Sequence, residues 1–154
     1  MSTAEQSDIA RIVVGVDGSE HSMQALRWAT FMADAMGAEI EAVAVAELTG
    51  ASAGAGWFHV PATRGQLKEA TAMLGQTLND VFGADQPRGL RPIVEEGVAA
   101  QVLLRVSSGA QMLVVGSRGH GGFRGLLLGS VSSVCSGHAT CPVLVVHGDN
   151  PPRS

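Results

Sequence analysis

The sequence predicts an open α/β fold in which a five-stranded parallel sheet, in the order 3-2-1-4-5, carries helices on both faces. Short apolar runs alternate with longer segments whose apolar residues recur at helical spacing, as in consecutive βαβ units. The runs are apolar almost throughout, which is typical of parallel strands that are buried on both faces. Right-handed crossovers between such units most often give this strand order, and strands 1 and 4 then lie side by side at the centre of the sheet.

The first half of the chain predicts two strands, two helices and a long loop. Residues 12–16 form a β-branched run that ends at Asp17, and apolar residues at helical spacing then continue until Gly37. The second strand follows at once, over residues 40–46. Residues 48–63 are rich in glycine, alanine and serine, so this loop is either a functional lid or a mobile connector. The loop contains an aromatic patch, Trp57, Phe58 and His59. The second helix follows, and its apolar face consists of Leu67, Ala70, Leu74, Leu78 and Val81.

The second half begins with a strand, a short helix and a further strand. Residues 90–95 form the third strand, and Pro92 within it suits an edge position because proline cannot donate to a sheet ladder. A short helix is predicted between Gly97 and Gly109, with its apolar residues on one face. Residues 112–115 form the fourth strand, an apolar run that is expected to be buried.

The last helix and the last strand follow a glycine-rich loop. The helix begins near Ser130 and is expected to be short, because Gly137 within it costs up to about 1 kcal/mol. The last strand follows Pro142 and covers residues 143–147, with Val143 and His147 at its ends. The predicted apolar face of the helix is formed by Val131, Val134, Cys135 and His138.

Length, composition and charge bound the class of protein. A chain of 154 residues with 45% hydrophobic content can bury a full core. We therefore expect one domain over residues 11–148, with a flexible N-terminus over residues 1–10 and a tail over residues 149–154. The 14 acidic and 10 basic residues give a net charge of −4 without a basic cluster, so we expect no nucleic-acid partner. The two cysteines, Cys135 and Cys141, indicate neither a zinc site nor a disulfide framework. No apolar run is long enough to predict a membrane span, and we expect a cytoplasmic protein.

The glycine-rich loop before the last helix is the strongest functional signal. Gly116, Gly119 and Gly129 are followed by Ser130, which gives the pattern G-x2-G-x9-G-S between a buried strand and a helix start. A helix start presents unpaired amides and the positive end of the helix dipole, and glycine lets the backbone approach a phosphate closely. Ser130 can cap the helix or bond a phosphate oxygen. The loop therefore predicts phosphate binding, and the alternative is a structural turn with a helix cap.

Charged residues near this loop extend the hypothesis. Asp17 ends strand 1, beside the loop at the topological switch point of the sheet. A carboxylate there could meet phosphates through a divalent cation such as Mg²⁺, or contact ribose hydroxyls or the adenine amino group, whereas the alternative is a turn or cap residue. Arg118, His120 and Arg124 lie in the loop and are either phosphate contacts or solvated side chains. Neither a P-loop nor a dinucleotide-binding fingerprint follows strand 1.

These motifs resemble the universal stress protein family, in particular its ATP-binding branch. The resemblance rests on the glycine motif, on Ser130-Val131-Ser132 directly after it, on Cys141-Pro142-Val143-Leu144-Val145-Val146 and on the start at Ile12-Val13-Val14-Gly15-Val16-Asp17-Gly18-Ser19, and it covers nearly the whole chain. It implies that ATP or another adenine nucleotide is the ligand, with Val45 contacting adenine through its backbone; a buried strand valine is the alternative. The residues that the resemblance assigns to the ligand are Asp17, Val45, Gly116, Ser117, Arg118, Gly119, Gly129, Ser130, Val131 and Ser132.

The resemblance also implies an assembly and a role. The last strand, residues 143–147, is apolar and is expected at a sheet edge, and the family resemblance implies a homodimer through it; the alternative is cover by the same chain. The implied function is that of a cytoplasmic, nucleotide-dependent regulator in stress response. The alternatives are slow ATP hydrolysis or autophosphorylation on Ser130 or Ser132, and binding of another adenine compound such as cyclic AMP or a flavin nucleotide. No catalytic residue is assigned. The sequence identifies no metal site, and Mg²⁺ at Asp17 is the only metal that the hypothesis includes.

Overall fold

The computed structural model describes residues 9–47, 62–119, 128–148 and 150–153. Most of the predicted loop at residues 48–63, the loop residues His120 and Arg124, and most of the predicted N-terminus lie outside the described residues. Within these ranges the elements are β1 (Arg11–Gly15), α1 (Glu20–Met36), β2 (Glu39–Ala46), α2 (Arg64–Phe82), β3 (Arg91–Glu96), α3 (Ala99–Val106), β4 (Met112–Gly116), α4 (Ser130–His138) and β5 (Val143–Val146).

The strands form one parallel sheet in the order β3-β2-β1-β4-β5, which confirms the predicted order. β1 lies between β2 and β4, so the loops that leave β1 and β4 meet at the same edge of the sheet. The proline of β3, Pro92, lies on an edge strand as predicted. β5 forms the other edge, and its bounds, Val143–Val146, are one residue shorter than predicted.

Two apolar layers hold the helices on the sheet. Ile12 and Val14 of β1 point to the layer that also contains Leu26 of α1 and Leu74 of α2. Val13 points to the opposite layer, which contains residues of α3 and α4. Because successive strand residues face opposite sides and both sides are covered, β1 has to be apolar at every one of these positions.

Local signals explain where the first two helices begin and end. α1 begins after Ser19, whose side chain accepts a hydrogen bond from the Ser22 amide, and it ends at Gly37 in the left-handed region at φ 66°. α2 begins with a capping box between Thr63 and Gln66. The indole of Trp28 in α1 donates to the Asn150 carbonyl, which holds residues of the C-terminal tail against this helix.

The predicted apolar face of α4 is partly wrong. Cys135 is fully buried as expected, but Val134 is 39% exposed and His138 is also exposed. Ser132 is buried instead, and its hydroxyl donates to the carbonyl of Ser117 beyond β4. The helix therefore faces the sheet through a serine that hydrogen-bonds and a cysteine, and the 3.6-residue pattern of apolar residues does not detect the serine.

Candidate functional site

A crevice of about 350 Å³ opens where β1, β2 and β4 end. Its lining comes from these strand ends and the residues that follow them, from α1, α2 and α3, and from the first turn of α4. Nine of the ten predicted ligand residues line the crevice: Asp17, Val45, Gly116, Arg118, Gly119, Gly129, Ser130, Val131 and Ser132. The structure thus brings together residues that are about a hundred positions apart in sequence, as the switch-point rule predicts.

The start of α4 offers three consecutive amides to the crevice. Gly129 is the N-cap residue and no side chain caps the helix, so of the two roles considered for Ser130, helix cap and phosphate contact, the structure excludes the cap. The Gly129 amide donates to the Ser117 carbonyl at 2.6 Å, and the first helical bond runs from the Ser133 amide to the Gly129 carbonyl. Within the described chain, no hydrogen bond takes the amides of Ser130, Val131 and Ser132. Unpaired amides at the positive end of a helix are a seat for an anion.

Ser117 holds the glycine-rich loop closed at its base. It is 1% exposed, and its carbonyl accepts from both the Gly129 amide and the Ser132 hydroxyl. Its amide donates to the Val146 carbonyl of β5, and its hydroxyl lies 2.9 Å from Nδ1 of His21 on α1. Ser117 does not line the crevice, so the structure places it behind the site, where it fixes both ends of the loop.

Asp17 connects the end of β1 to the same loop. Its Oδ1 accepts hydrogen bonds from the amide, at 2.9 Å, and the hydroxyl of Ser19, so the carboxylate helps to form the turn before α1. Its Oδ2 lies so close to Gly119 that a Cβ atom there would collide with it. Asp17 is exposed to solvent on the crevice side. Both predicted roles, turn residue and crevice residue, are therefore compatible with its position.

The end of β2 presents an open backbone edge. The β1–β2 ladder ends with the pair Gly15 and Val43, followed by a bond from the Val16 amide to the Val43 carbonyl at 2.8 Å. Because ladder bonds alternate in direction along a parallel strand, the N–H and C=O of Val45 point to the same side, beyond the end of β1. No bond within the described residues takes them. A neighbouring donor and acceptor of this kind can pair with a ring nitrogen and an adjacent amino group.

The remaining walls include residues that the sequence did not single out. Met73 of α2 and Leu103 of α3 line the crevice with Val43 and give it an apolar end. Glu47, the first residue after β2, also lines it, and its Oε1 accepts from the Ala99 amide at the start of α3 at 3.0 Å. Glu47 had the same signal as Asp17, since it is a carboxylate directly after a central strand. Met73 had no such signal, because an apolar residue on a helix is expected to pack in the core.

The described residues contain no group of three or more histidine, cysteine, aspartate or glutamate side chains that could hold a metal ion. A cation at Asp17 would therefore need ligands from a nucleotide and from water, which is the usual arrangement for Mg²⁺.

None of the helices within the described ranges combines the length and the apolar character that a bilayer crossing needs.

The fold and the crevice define a doubly wound α/β protein whose topological switch point holds a helix start without a side-chain cap. The chain belongs to the universal stress protein family, whose family model matches residues 9–147. It is 34% identical over 142 residues to a universal stress protein of Mycolicibacterium smegmatis, covering 90% of this chain and 48% of that protein. It is 30% identical over 145 residues to the universal stress protein YxiE of Bacillus subtilis, covering 88% of this chain and 97% of that protein. The chain spans about half the length of the curated relatives that it matches first.

Solved structures share the fold. A universal stress protein in complex with cAMP has a TM-score of 0.68 at 24% identity, covering 91% of this chain and 98% of that one. The universal stress protein from Archaeoglobus fulgidus in complex with dAMP has a TM-score of 0.58 at 19% identity, covering 89% of this chain and 97% of that one. At these identities the likeness establishes the α/β architecture.

Proposed function

We propose that this protein binds ATP in the crevice and acts as a nucleotide-dependent regulator in a cytoplasmic stress response. One observation carries the proposal: the amides of Ser130, Val131 and Ser132 are free of partners in the described chain and lie at the crevice, at the positive end of α4. Such a seat favours phosphate groups, because it offers several donors and a favourable dipole in one place. Gly116 and Gly119 leave the backbone of the same wall accessible.

The other end of the crevice suits an adenine base. The open N–H and C=O of Val45 match the ring nitrogen N1 and the 6-amino group of adenine as acceptor and donor. Apolar side chains, including Val43, Met73 and Leu103, can cover the faces of the ring. The structural neighbours that hold cAMP and dAMP support adenine nucleotides as the ligand class. We favour ATP among them because three open amides can bind more phosphate oxygens than a single phosphate group presents, so additional phosphates should increase affinity.

Asp17 is the residue that we assign to Mg²⁺ or to the ribose. Its carboxylate lies at Gly119, next to the backbone that we expect to hold the phosphates. A carboxylate at that place repels phosphate, so either a cation lies between them or the carboxylate accepts from ribose hydroxyls. Arg118, which lines the same wall, is the side chain that we expect to add positive charge.

We also propose a homodimer that forms through β5. This strand is an edge of the sheet, and its residues Val143–Val146 are all apolar. Apolar edges without charge or proline favour pairing with another chain. A dimer through β5 would couple the two crevices, because the Val146 carbonyl of β5 accepts from the Ser117 amide at the base of the glycine-rich loop.

The catalytic alternative, ATP hydrolysis or autophosphorylation, has less support. Ser132 is 1% exposed, and its hydroxyl already donates toward the carbonyls of Ser117 and Gly129. It is therefore a poor phosphoryl acceptor. Ser130 is exposed and lines the crevice, so it is the serine on which autophosphorylation would be sought.

The test of the ligand class uses protein that has been purified without added nucleotide. Mass spectrometry of the small molecules that denaturation releases is expected to show an adenine nucleotide. Calorimetry of the stripped protein with ATP, ADP, AMP, cyclic AMP and a flavin nucleotide is then expected to give the tightest binding for ATP, with affinity falling as phosphates are removed. Absence of binding to all five would overturn the proposal, and tighter binding of cyclic AMP or flavin nucleotide would replace ATP as the ligand.

A further inference from the structure

A carboxylate lies at the end of the crevice where we place the base. Glu47 follows β2 directly and lies two positions after Val45, so along this strand it comes after the Val45 carbonyl. Glu47 lines the crevice, and its side chain is held by one oxygen: Oε1 accepts from the Ala99 amide at 3.0 Å. No hydrogen bond within the described residues takes the second oxygen.

The order of groups along β2 determines which part of a bound purine would face this carboxylate. The N–H of Val45 comes first, its C=O second and the Glu47 side chain third, toward the carboxyl end of the strand. A purine that pairs with Val45 through N1 and its 6-substituent has that substituent on the Glu47 side. A carboxylate accepts hydrogen bonds and cannot donate them, so it favours a 6-amino group and disfavours a 6-oxo group.

We propose that Glu47 is a specificity residue that selects 6-aminopurine over 6-oxopurine nucleotides in this crevice. The inference rests on the proposed function, because it requires that a purine nucleotide binds there. The amide bond to Ala99 holds the carboxylate in place, and the second oxygen accepts from the amino hydrogen that Val45 does not use. A 6-oxo group at the same place would set two acceptors against each other, which costs affinity because neither finds a donor.

The experiment compares ATP with ITP, which carry the same phosphates but differ in the base: ITP has a 6-oxo group and a proton on N1, where ATP has a 6-amino group and an acceptor nitrogen. The N1 difference faces Val45 in every variant, so it cancels when the ATP-to-ITP ratios of the variants are compared. Glu47→Gln keeps an oxygen that accepts from the Ala99 amide, and this bond directs the new NH₂ group toward the base. We expect the ATP-to-ITP affinity ratio, measured by calorimetry, to fall by about tenfold or more, since hydrogen bonds to charged groups are the strong ones. Effects of the lost charge on the phosphates cancel in the ratio.

Glu96→Gln is the matched control. Glu96 follows the same pattern at the end of β3: it is exposed, and its Oε2 accepts from a backbone amide, that of Ala62, at 3.0 Å. It does not line the crevice. Because both variants remove one negative charge and keep one amide bond, Glu96→Gln should leave the ATP-to-ITP ratio unchanged.

Glu47→Ala provides a second variant that does not depend on the glutamine geometry. It removes both attraction and repulsion, so its ratio should fall between those of the wild type and Glu47→Gln. Equal ratios in the wild type and in both Glu47 variants would overturn the specificity role while leaving nucleotide binding intact. Wild-type protein that bound neither ATP nor ITP would overturn the proposed function and the inference together.

Discussion

Gly119 lies so close to the Asp17 carboxylate that a side chain at this position would force the carboxylate or the loop to move. A Cβ atom at Gly119 would collide with Oδ2 of Asp17, so Gly119→Ala must displace the carboxylate or the loop. We expect the affinity for ATP to fall by about tenfold or more, which corresponds to about 1.4 kcal/mol. Calorimetry on the folded variant measures this loss.

Gly75→Ala is the control for the same chemical change. Gly75 lies in the interior of α2, and a Cβ atom there would meet nothing within 4 Å. Alanine should therefore raise the free energy of unfolding by about 0.5–1 kcal/mol through its higher helix propensity, without changing ATP affinity. Equal ATP affinities in the two variants would contradict the role of Gly119.

Cys135 provides a prediction about pH. Burial, with a smaller contribution from the charge of Cys141, raises the pKa of the Cys135 thiol to about 11. The pKa of an unfolded thiol is about 8.5, so the unfolded chain loses this proton first as the pH rises. The contribution of Cys135 to stability is complete below about pH 8.5 and is lost as the pH rises toward about 11.

Urea unfolding across this pH range measures the loss. The free energy of unfolding of the wild type should fall with rising pH, and part of that fall should disappear in Cys135→Ala. Cys141→Ala should keep most of it, because burial is the larger cause of the raised pKa. Identical pH slopes in the wild type and Cys135→Ala would show that this thiol does not control alkaline stability.

At the level of elements, the sequence predicted the sheet well because its strands have only one way to be buried. β1 and β4 are apolar at consecutive positions, so they had to lie inside a parallel sheet with helices on both faces. The sequence predicted which residues would reach the crevice where backbone type decides it, as at Gly119. Where side-chain geometry decides, the sequence was insufficient: Ser130 and Ser132 look alike, yet one is exposed at the first turn of α4 and the other is buried against Ser117.

Met73 and Glu47 show a second limit. Met73 reaches the crevice from α2, which is on the opposite face of the sheet from α3, and no spacing in a single sequence records that the two helices flank one crevice. Glu47 could have been found by applying the rule used for Asp17, that carboxylates after central strands face the switch point. The hydrogen bond between Glu47 and the Ala99 amide could not have been predicted, because the two residues are fifty-two positions apart in sequence.

The edge strand β5 carries a prediction about assembly. Bonds from the amides of Leu113 and Ser117 to the carbonyls of Pro142 and Val146 set the ladder with β4, so by alternation the N–H of Val145 points away from the sheet. Val145→Pro should therefore leave the β4 ladder intact but weaken a dimer through β5 by at least about tenfold. Sedimentation velocity would measure the shift from dimer to monomer.

Val145→Ala separates the backbone from the side chain in this test. It shortens the same side chain but keeps the N–H, so its dimer should dissociate at concentrations close to those of the wild type. A wild-type monomer, or a Val145→Pro dimer as tight as that of the wild type, would contradict pairing through this strand.

At the scale of the whole molecule, ligand binding should stabilise the fold because the crevice joins its separate parts. The loops after β1 and β4, the end of β2 and the start of α4 all contribute to it, and none of them forms the site alone. ATP at about a hundred times its dissociation constant should add about 2.7 kcal/mol to the free energy of unfolding. For a chain of this length, that should raise the melting temperature by about 5–10 °C.

The same thermal measurement decides how Asp17 acts. If Mg²⁺ lies between its carboxylate and the phosphates, EDTA should reduce the rise that ATP causes in the wild type. Asp17→Asn should then show that smaller rise with or without Mg²⁺, because the amide is a weaker ligand and carries no charge for the cation to neutralise. A wild-type rise that is the same with Mg²⁺ and with EDTA would exclude the cation and leave the ribose as the partner of Asp17. In that case Asp17→Asn should still lower the ATP affinity, because hydrogen bonds to a charged acceptor are stronger than those to an amide oxygen.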